Sequence, residues 1–244
     1  MRLCYSTVIT FKIQKIITMK SFIAFACLIA SISAVPRYGV AGIDYNDERI
    51  VTGQIISAID DLSQSIKDAG LDPLYIKRED SSYALPVPVI FNYAAFVEEI
   101  LSTGLSNIKV NRINYGVLTS RLTFDIEIPR VEFAVGASAA KATIFSNDIE
   151  GLVSGTVVID RIRVTGNVRV SIGIISGISI RSVDIDFSLR GIESNVRLVI
   201  QGNNYSEQIN EFLGATIPDT LKSHSKEINK LLEIVVLEVL NDNL

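Results

Sequence analysis

Cysteine is nearly absent from this chain, and the two that exist, Cys4 and Cys27, both lie near the N-terminus. The residues beyond position 27 therefore have no thiol, which excludes disulfides, cysteine nucleophiles and thiolate metal sites there. Tryptophan is missing altogether, and His224 is the only histidine. With one histidine and no later cysteine, the usual zinc and copper sites are not available, and we predict no cofactor.

The first 34 residues have the features of a secretory signal peptide. An apolar stretch runs from Phe22 to Ile32 after the basic Lys20, and the small residue Ala34 fits a cleavage site. The competing interpretation is a membrane anchor, but the uncharged run is shorter than the roughly 20 residues that span a bilayer. The second methionine, Met19, is an alternative start.

These features predict the domain organisation and the location of the protein. We expect a signal peptide over residues 1–34, a flexible leader over residues 35–45 and a single domain over residues 46–244. The protein is then secreted and extracellular. A domain of about 210 residues can be held by its core without disulfides.

Removing the signal peptide makes the chain more acidic. Four of the 23 basic residues leave with it and no acidic residue does, so 19 basic and 27 acidic residues remain, a net charge of −8. Nucleic acids and anionic membranes both attract basic surfaces. We therefore predict no nucleic-acid partner and no stable membrane insertion, while the oligomeric state is left open.

The N-terminal part of the domain has helical periodicity. One stripe at spacings of three and four consists of Ile55, Ile59, Leu62, Ile66 and Ala69. Gly70 has the character of a C-terminal cap, with Pro73 shortly beyond it. Three prolines then predict an extended crossover over residues 71–92, and residues 93–102 are predicted to form a short helix that Gly104 closes.

From about Ile108 to Gln201 the period changes to two. The clearest runs of alternating apolar residues are Leu122, Phe124, Ile126 and Ile128, and Val183, Ile185, Phe187 and Leu189. This pattern predicts antiparallel strands with one wet and one dry face. Glycines at intervals, among them Gly136, Gly166 and Gly191, are expected to mark turns.

The last forty residues return to helical period, with Pro218 interrupting the apolar stripe. We expect either a kink there or a second helix that begins at the proline. Strands segregated from helices indicate an α+β fold rather than βαβ winding.

Polar chemistry in the chain is sparse. His224 stands among serines and lysines without a Gly-x-Ser-x-Gly elbow, so we interpret it as a solvated helix residue rather than a catalytic base. Asp184 and Asp186 share the wet face of one strand and are also interpreted as solvated. Asn204-Tyr205-Ser206 is a possible glycosylation sequon. The chain is therefore predicted not to be an enzyme.

Several short segments resemble the mite group 7 allergen-like proteins of arthropods. They are, in order, residues 70–74 (GLDPL), 85–88 (LPVP), 104–108 (GLSNI), 176–180 (SGISI) leading to 187–189 (FSL), and 209–213 (INEFL) leading to Ile217-Pro218. The likeness extends over residues 46–242. That family is similar in fold to insect juvenile-hormone-binding and takeout proteins and to one half of bactericidal/permeability-increasing protein.

The resemblance implies an elongated super-roll, in which a strongly curved antiparallel sheet wraps around a long C-terminal helix, with an additional N-terminal helix. It also implies a hydrophobic small-molecule ligand such as a lipid, fatty acid or terpenoid. Takeout and hormone-binding proteins usually carry an N-terminal disulfide, and its absence here favours the group 7 branch. The alternative function is recognition of bacterial lipid without enclosing it.

Large residues on inward faces are the candidates for a ligand lining. They are Phe124, Phe133, Phe187, Phe212, Leu213 and Ile217. Ligand pockets favour such apolar linings. The competing interpretation is that these side chains only fill a core.

Overall fold

The computed structural model describes residues 45–173 and 177–242. The signal peptide and nearly all of the leader, predicted over residues 1–34 and 35–45, lie outside the described residues. The elements are α1 (Tyr45–Asp68), β1 (Leu74–Ala84), β2 (Phe91–Thr103), β3 (Lys109–Gly116), β4 (Arg121–Ile144), β5 (Asn147–Gly173), β6 (Gly177–Ile200), β7 (Asn203–Asn204), α2 (Ser206–Glu211), a π-helical turn (Phe212–Thr216), α3 (Ile217–Ser223) and α4 (Ser225–Asp242). The chain is therefore α+β, as its periodicities predict.

The strands form one open antiparallel sheet in the order β1-β2-β4-β5-β6-β7. Strand β4 is long enough to pair with two others along one edge, since its first part pairs with β3 and its second part with β2. Strand β5 occupies the other edge of β4 from end to end. The three longest strands, β4, β5 and β6, thus lie side by side and have 24 to 27 residues each.

The predicted helix over residues 93–102 is wrong, because these residues belong to strand β2. Their alanine, glutamate and leucine content favours helix, but β2 lies between β1 and β4 and exchanges hydrogen bonds with both. Pairing on two edges outweighs a local propensity of a few tenths of a kcal/mol per residue. The crossover predicted before it contains β1 and the loop of residues 85–90.

Most glycines that were expected to mark turns lie inside the long strands. At Gly166, an added Cβ would meet the Asp184 carbonyl oxygen at 2.1 Å and the Phe124 ring at 3.0 Å. Glycine is required there because neighbouring groups approach too closely for any side chain. At Gly166 the reason for glycine is therefore close packing and not chain reversal, whereas at Gly191 an added Cβ would meet no atom within 4 Å.

The core lies at one end of the sheet, under two helices. Ile55 and Ile59 of α1 are fully buried, as the helical stripe predicts, and α1 packs against β3. Helix α4 packs against β6 and contributes Val236. The sheet side of this cluster consists of Tyr115, Leu122, Phe124, Val168, Val170, Val183 and Ile185. Gly70 follows the end of α1 and has a φ of +67°, the left-handed conformation of a C-terminal cap, as predicted.

The C-terminal segment runs as three helices along β6. Pro218 lies in the first turn of α3, after the π-helical turn, and a break in the helical backbone follows at His224. Side chains of these helices bind the backbone of β6. The Ile185 N–H donates to Glu233 Oε1 (3.3 Å) and the Phe187 N–H donates to Asn229 Oδ1 (3.0 Å). This edge is therefore protected from pairing with another chain.

Asn210 makes the most complete of these edge contacts. The Val196 N–H donates to Asn210 Oδ1 (2.9 Å), and Asn210 Nδ2 donates to the Val196 carbonyl oxygen (2.8 Å). The Asn210 side-chain amide thus satisfies both backbone groups of Val196, as a neighbouring strand would.

Replacing Asn210 with alanine should lower the free energy of unfolding by about 1–3 kcal/mol, because a partly buried donor and acceptor lose their partners. Urea unfolding measures this. The matched control is Asn203→Ala, at an exposed amide, where a change within about 0.5 kcal/mol is expected. Equal losses in the two variants would contradict the role given to Asn210.

Asp72 is a buried carboxylate that joins the start of β1 to the β2–β3 loop. The Gly104 N–H donates to its Oδ1 (2.8 Å), and the Ser106 N–H (2.6 Å) and hydroxyl donate to its Oδ2. Burial alone would raise the pKa of Asp72, but the Ser106 and Gly104 hydrogen bonds and the charge of Lys67 lower the pKa below its ordinary value.

The lowered pKa of Asp72 predicts an acid-sensitive contribution to stability. This contribution is fully present above the unfolded-state pKa, about 3.9, and is lost as the pH falls through the lower folded-state pKa. Asp72→Asn should therefore lower the free energy of unfolding by about 2–3 kcal/mol near neutral pH. The difference in this free energy between the variant and the wild type should become smaller below about pH 3.9. Urea unfolding across this range is the measurement. The exposed Asp184→Asn is the control, and a gap independent of pH would refute the assignment.

Candidate functional site

An open groove of about 420 Å³ lies across the part of the sheet that the α1–α4 core does not reach. It is lined by residues of five neighbouring strands and of the turn after β6. The lining residues are Asp80, Ala94, Ala95, Phe96, Ala139, Ala140, Lys141, Glu150, Gly151, Leu152, Val199, Gln201 and Gly202. Five adjacent strands line one groove, so the sheet is concave here.

The register explains how distant residues meet in this groove. One cross-strand row consists of Asp80, Phe96, Ala139, Leu152 and Val199, each opposite the next. Paired residues in a sheet point to the same face. Four members of this row are apolar, so the floor of the groove is apolar and has a carboxylate at one end.

Small residues on β4 leave the space that forms the groove. Between Ala137 and Ala142, strand β4 carries four alanines, a serine and a lysine. Alanine side chains cannot fill the volume above a concave sheet, so a gap remains between Phe96 and Leu152. This run of small residues is the sequence signal for the groove, whereas the six residues predicted as its lining are all large.

Several charged residues at the two sides of the groove form ion pairs. Arg78 binds Asp80 (2.8 Å) and Glu98 (3.1 Å), and its guanidinium carbon lies 4.5 Å from the centre of the Phe96 ring. The hydrogen bond from Arg78 lowers the pKa of Asp80. On this side the groove therefore has an apolar floor beside one cation and two carboxylates that are joined to one another.

The second rim is built in the same way. Lys141 binds Asp148 at 2.8 Å, and this hydrogen bond raises the pKa of Lys141 and lowers the pKa of Asp148. Glu150 and Gln201 complete the rim. Such a site suits a molecule with an apolar body and one weakly polar end.

The six residues predicted from the sequence as ligand lining lie elsewhere. Phe124 is buried in the core under the helices, and Phe187 is half-buried on β6. Phe133 is partly exposed on β4. Phe212, Leu213 and Ile217 are brought together on consecutive turns beside β6. The groove is lined by a different set, and the assignment of the six stays a prediction.

Asn204 of the possible sequon is exposed at the end of β7. Its Oδ1 accepts from the Ser206 N–H (2.9 Å) and from the Ser206 hydroxyl. Glycosylation at this position stays a prediction.

The polar residues that were interpreted as solvated are exposed. The His224 ring bonds Ser223 and Thr220, Asp184 is exposed on β6, and the exposed Asp186 accepts a hydrogen bond from Asn229 Nδ2 (2.9 Å). Across residues 45–173 and 177–242, no three His, Cys, Asp or Glu side chains come close enough together to hold a metal ion. None of the helices in the described part of the chain has the length and apolar character needed to cross a membrane.

The architecture and the groove define an α+β protein with an open antiparallel sheet and an apolar concavity. The sequence model of the haemolymph juvenile hormone binding protein (JHBP) family matches residues 23–244. This match covers most of the sequence, so the chain belongs to the haemolymph juvenile hormone binding protein family. No curated protein sequence matches the chain.

Two solved structures show a distant likeness. Takeout 1 of Epiphyas postvittana has 14% sequence identity, with 81% of this chain and 89% of that chain covered and a TM-score of 0.38. A lipopolysaccharide binding protein has 11% identity, with 78% of this chain and 36% of that chain covered and a TM-score of 0.26. Likeness at this level provides no correspondence between individual residues.

Proposed function

We propose that this chain is a secreted, non-catalytic carrier of a hydrophobic small molecule, and that the groove across β1, β2, β4, β5 and β6 holds it. The observation that carries the proposal is the apolar floor formed by Phe96, Ala139, Leu152 and Val199 in one register row. Membership of a family named for juvenile hormone binding supports the same ligand class. Lipids, fatty acids and terpenoids all belong to it.

The energetics of such a groove are favourable without hydrogen bonds. Each methylene that leaves water contributes about 0.8 kcal/mol. A ligand that buries ten methylenes gains roughly 8 kcal/mol before the entropy of association is subtracted. A volume of about 420 Å³ lies within the usual range for small-molecule sites.

Several finer features belong to this proposal. The sheet closes further around the C-terminal helices in a super-roll, and the chain belongs to the group 7 allergen-like branch. Residues 1–34 act as a signal peptide, and residues 46–244 form one domain. The absence of cysteine beyond position 27 supports the branch assignment.

A fluorescent fatty-acid probe tests the proposal directly. Titration of the mature chain should saturate near one equivalent, and unlabelled fatty acids, sterols or terpenoids should displace the probe in competition. Native mass spectrometry of protein from its natural source should show a co-purified apolar molecule. Absence of binding by members of all three classes would overturn the carrier function.

A further inference from the structure

Two loops at one end of the sheet form an exposed apolar surface, which we call the apolar tip. It consists of the β1–β2 loop, residues 85–90, and the β4–β5 turn with its flanking residues. The exposed apolar side chains of the tip are Val87, Val89, Ile90, Ile144, Phe145 and Ile149. Single exposed apolar residues are ordinary, but a contiguous group of six marks an interaction surface.

The two loops are fixed to each other by backbone hydrogen bonds. The Phe145 N–H donates to the Ile90 carbonyl oxygen (3.1 Å), and the Ser146 N–H donates to the Val89 carbonyl oxygen (2.8 Å). Asn92 Nδ2 also binds the Pro88 carbonyl oxygen (2.8 Å). The apolar side chains are therefore presented together on one ordered surface.

Phe145 occupies an unfavourable position in two respects. Its φ is +47° and that of Ser146 is +66°, the left-handed conformation that tight hairpins normally give to Asn and Gly. Phe145 is also 73% exposed to solvent. A bulky residue held in a sparsely populated conformation and turned outward indicates a function at that position.

Charge is missing from the tip. Residues 81–97 contain no charged side chain, and neither do residues 142–147. The nearest charges on the hairpin, Lys141 and Asp148, neutralise each other at 2.8 Å. A tip without net charge complements an electrically neutral surface and gains nothing from an anionic one.

Aromatic residues stand behind the tip. The rings of Tyr83 and Phe91 lie 6.2 Å apart, as do those of Phe91 and Tyr93. The Tyr93 hydroxyl bonds Ser81 Oγ (2.9 Å). Tyrosines with an apolar body and a polar end are typical of the level where lipid chains meet headgroups.

We propose that the apolar tip docks on the surface of a zwitterionic, phosphatidylcholine-type membrane. The groove lies beside this surface, because Ala94 in its lining is only three residues from Phe91 at the start of β2, about 10 Å along the strand. Docking therefore places the groove mouth at the lipid surface. The docking itself does not depend on the groove being the ligand site.

Sedimentation with phosphatidylcholine vesicles tests the docking. The full mature chain should co-sediment with them, and adding anionic lipid should not increase the bound fraction. Phe145→Asn should weaken vesicle binding by about tenfold or more, because the largest apolar side chain of the tip is removed. The same variant should fold at least as stably as the wild type, because asparagine accepts the left-handed conformation.

The matched control is Leu118→Asn, in the turn at the opposite end of β4, where Leu118 is 80% exposed. This variant should bind vesicles as the wild type does. Equal binding by Phe145→Asn and the wild type would overturn the proposal, and so would binding that requires anionic lipid. Self-association without lipid that Phe145→Asn abolishes would instead assign the tip to contact with a second copy of the chain, which also overturns it.

Discussion

Replacing Phe124 with alanine should lower the free energy of unfolding by about 3–5 kcal/mol. Phe124 is buried in the cluster that joins the sheet to α1 and α4, and its ring passes over Gly166 on the neighbouring strand. Truncation leaves a cavity that the surrounding strands cannot close, since their backbones are fixed by pairing on both sides of β4. Chemical denaturation monitored by circular dichroism measures the loss.

Phe133→Ala is the matched control, because it removes the same side chain from the same strand at a partly exposed position. We expect a loss of only about 1 kcal/mol there. Probe binding by the folded fraction of Phe124→Ala should also be unchanged if this residue belongs to the core. A loss of probe affinity at unchanged stability would instead establish the role in the ligand lining that the sequence predicts for Phe124.

Replacing Ala139 with tryptophan should weaken probe binding by at least about tenfold while the protein remains folded. Ala139 is at the centre of the groove floor, opposite Phe96 on one strand and Leu152 on the other. An indole at this position occupies the space that an apolar ligand needs. Because the groove is open and not part of the packed core, the larger side chain does not have to displace neighbouring backbone.

Ala69→Trp is the control for the variant in the groove. Ala69 is an exposed alanine after the end of α1 and is not among the residues that line the groove. This variant should bind the probe with the affinity of the wild type. Equal weakening in both variants would indicate an effect of the added indole that is not specific to the groove, and unchanged binding by Ala139→Trp would place the ligand outside this groove.

Local patterns were reliable where one element decides its own structure. Helix α1 and its Gly70 cap, and the alternation that buries Val183 and Ile185, follow from periodicity and backbone chemistry. These features depend on neighbours within a few residues. The predicted helix over residues 93–102 failed because β2 receives its structure from two partner strands.

The groove could not be predicted in the same way. Asp80 and Val199 end one register row and are more than one hundred residues apart in sequence, and three intervening strands align them. Shifting one strand by a single residue would turn its lining side chains to the other face. The concavity therefore depends on registers that are set across the whole sheet.

The sequence by itself determined the α+β class, the acidic and thiol-poor character of the chain beyond position 27, and the likeness in fold to juvenile-hormone-binding proteins. Periodicity and composition are properties of neighbouring residues and can be read without coordinates. Only the tertiary structure decided that Phe124 lies in a core, that small alanines leave a groove, and that Phe145 is exposed at a tip. Each of these depends on which distant strands pair, and pairing is fixed by the energy of the whole sheet.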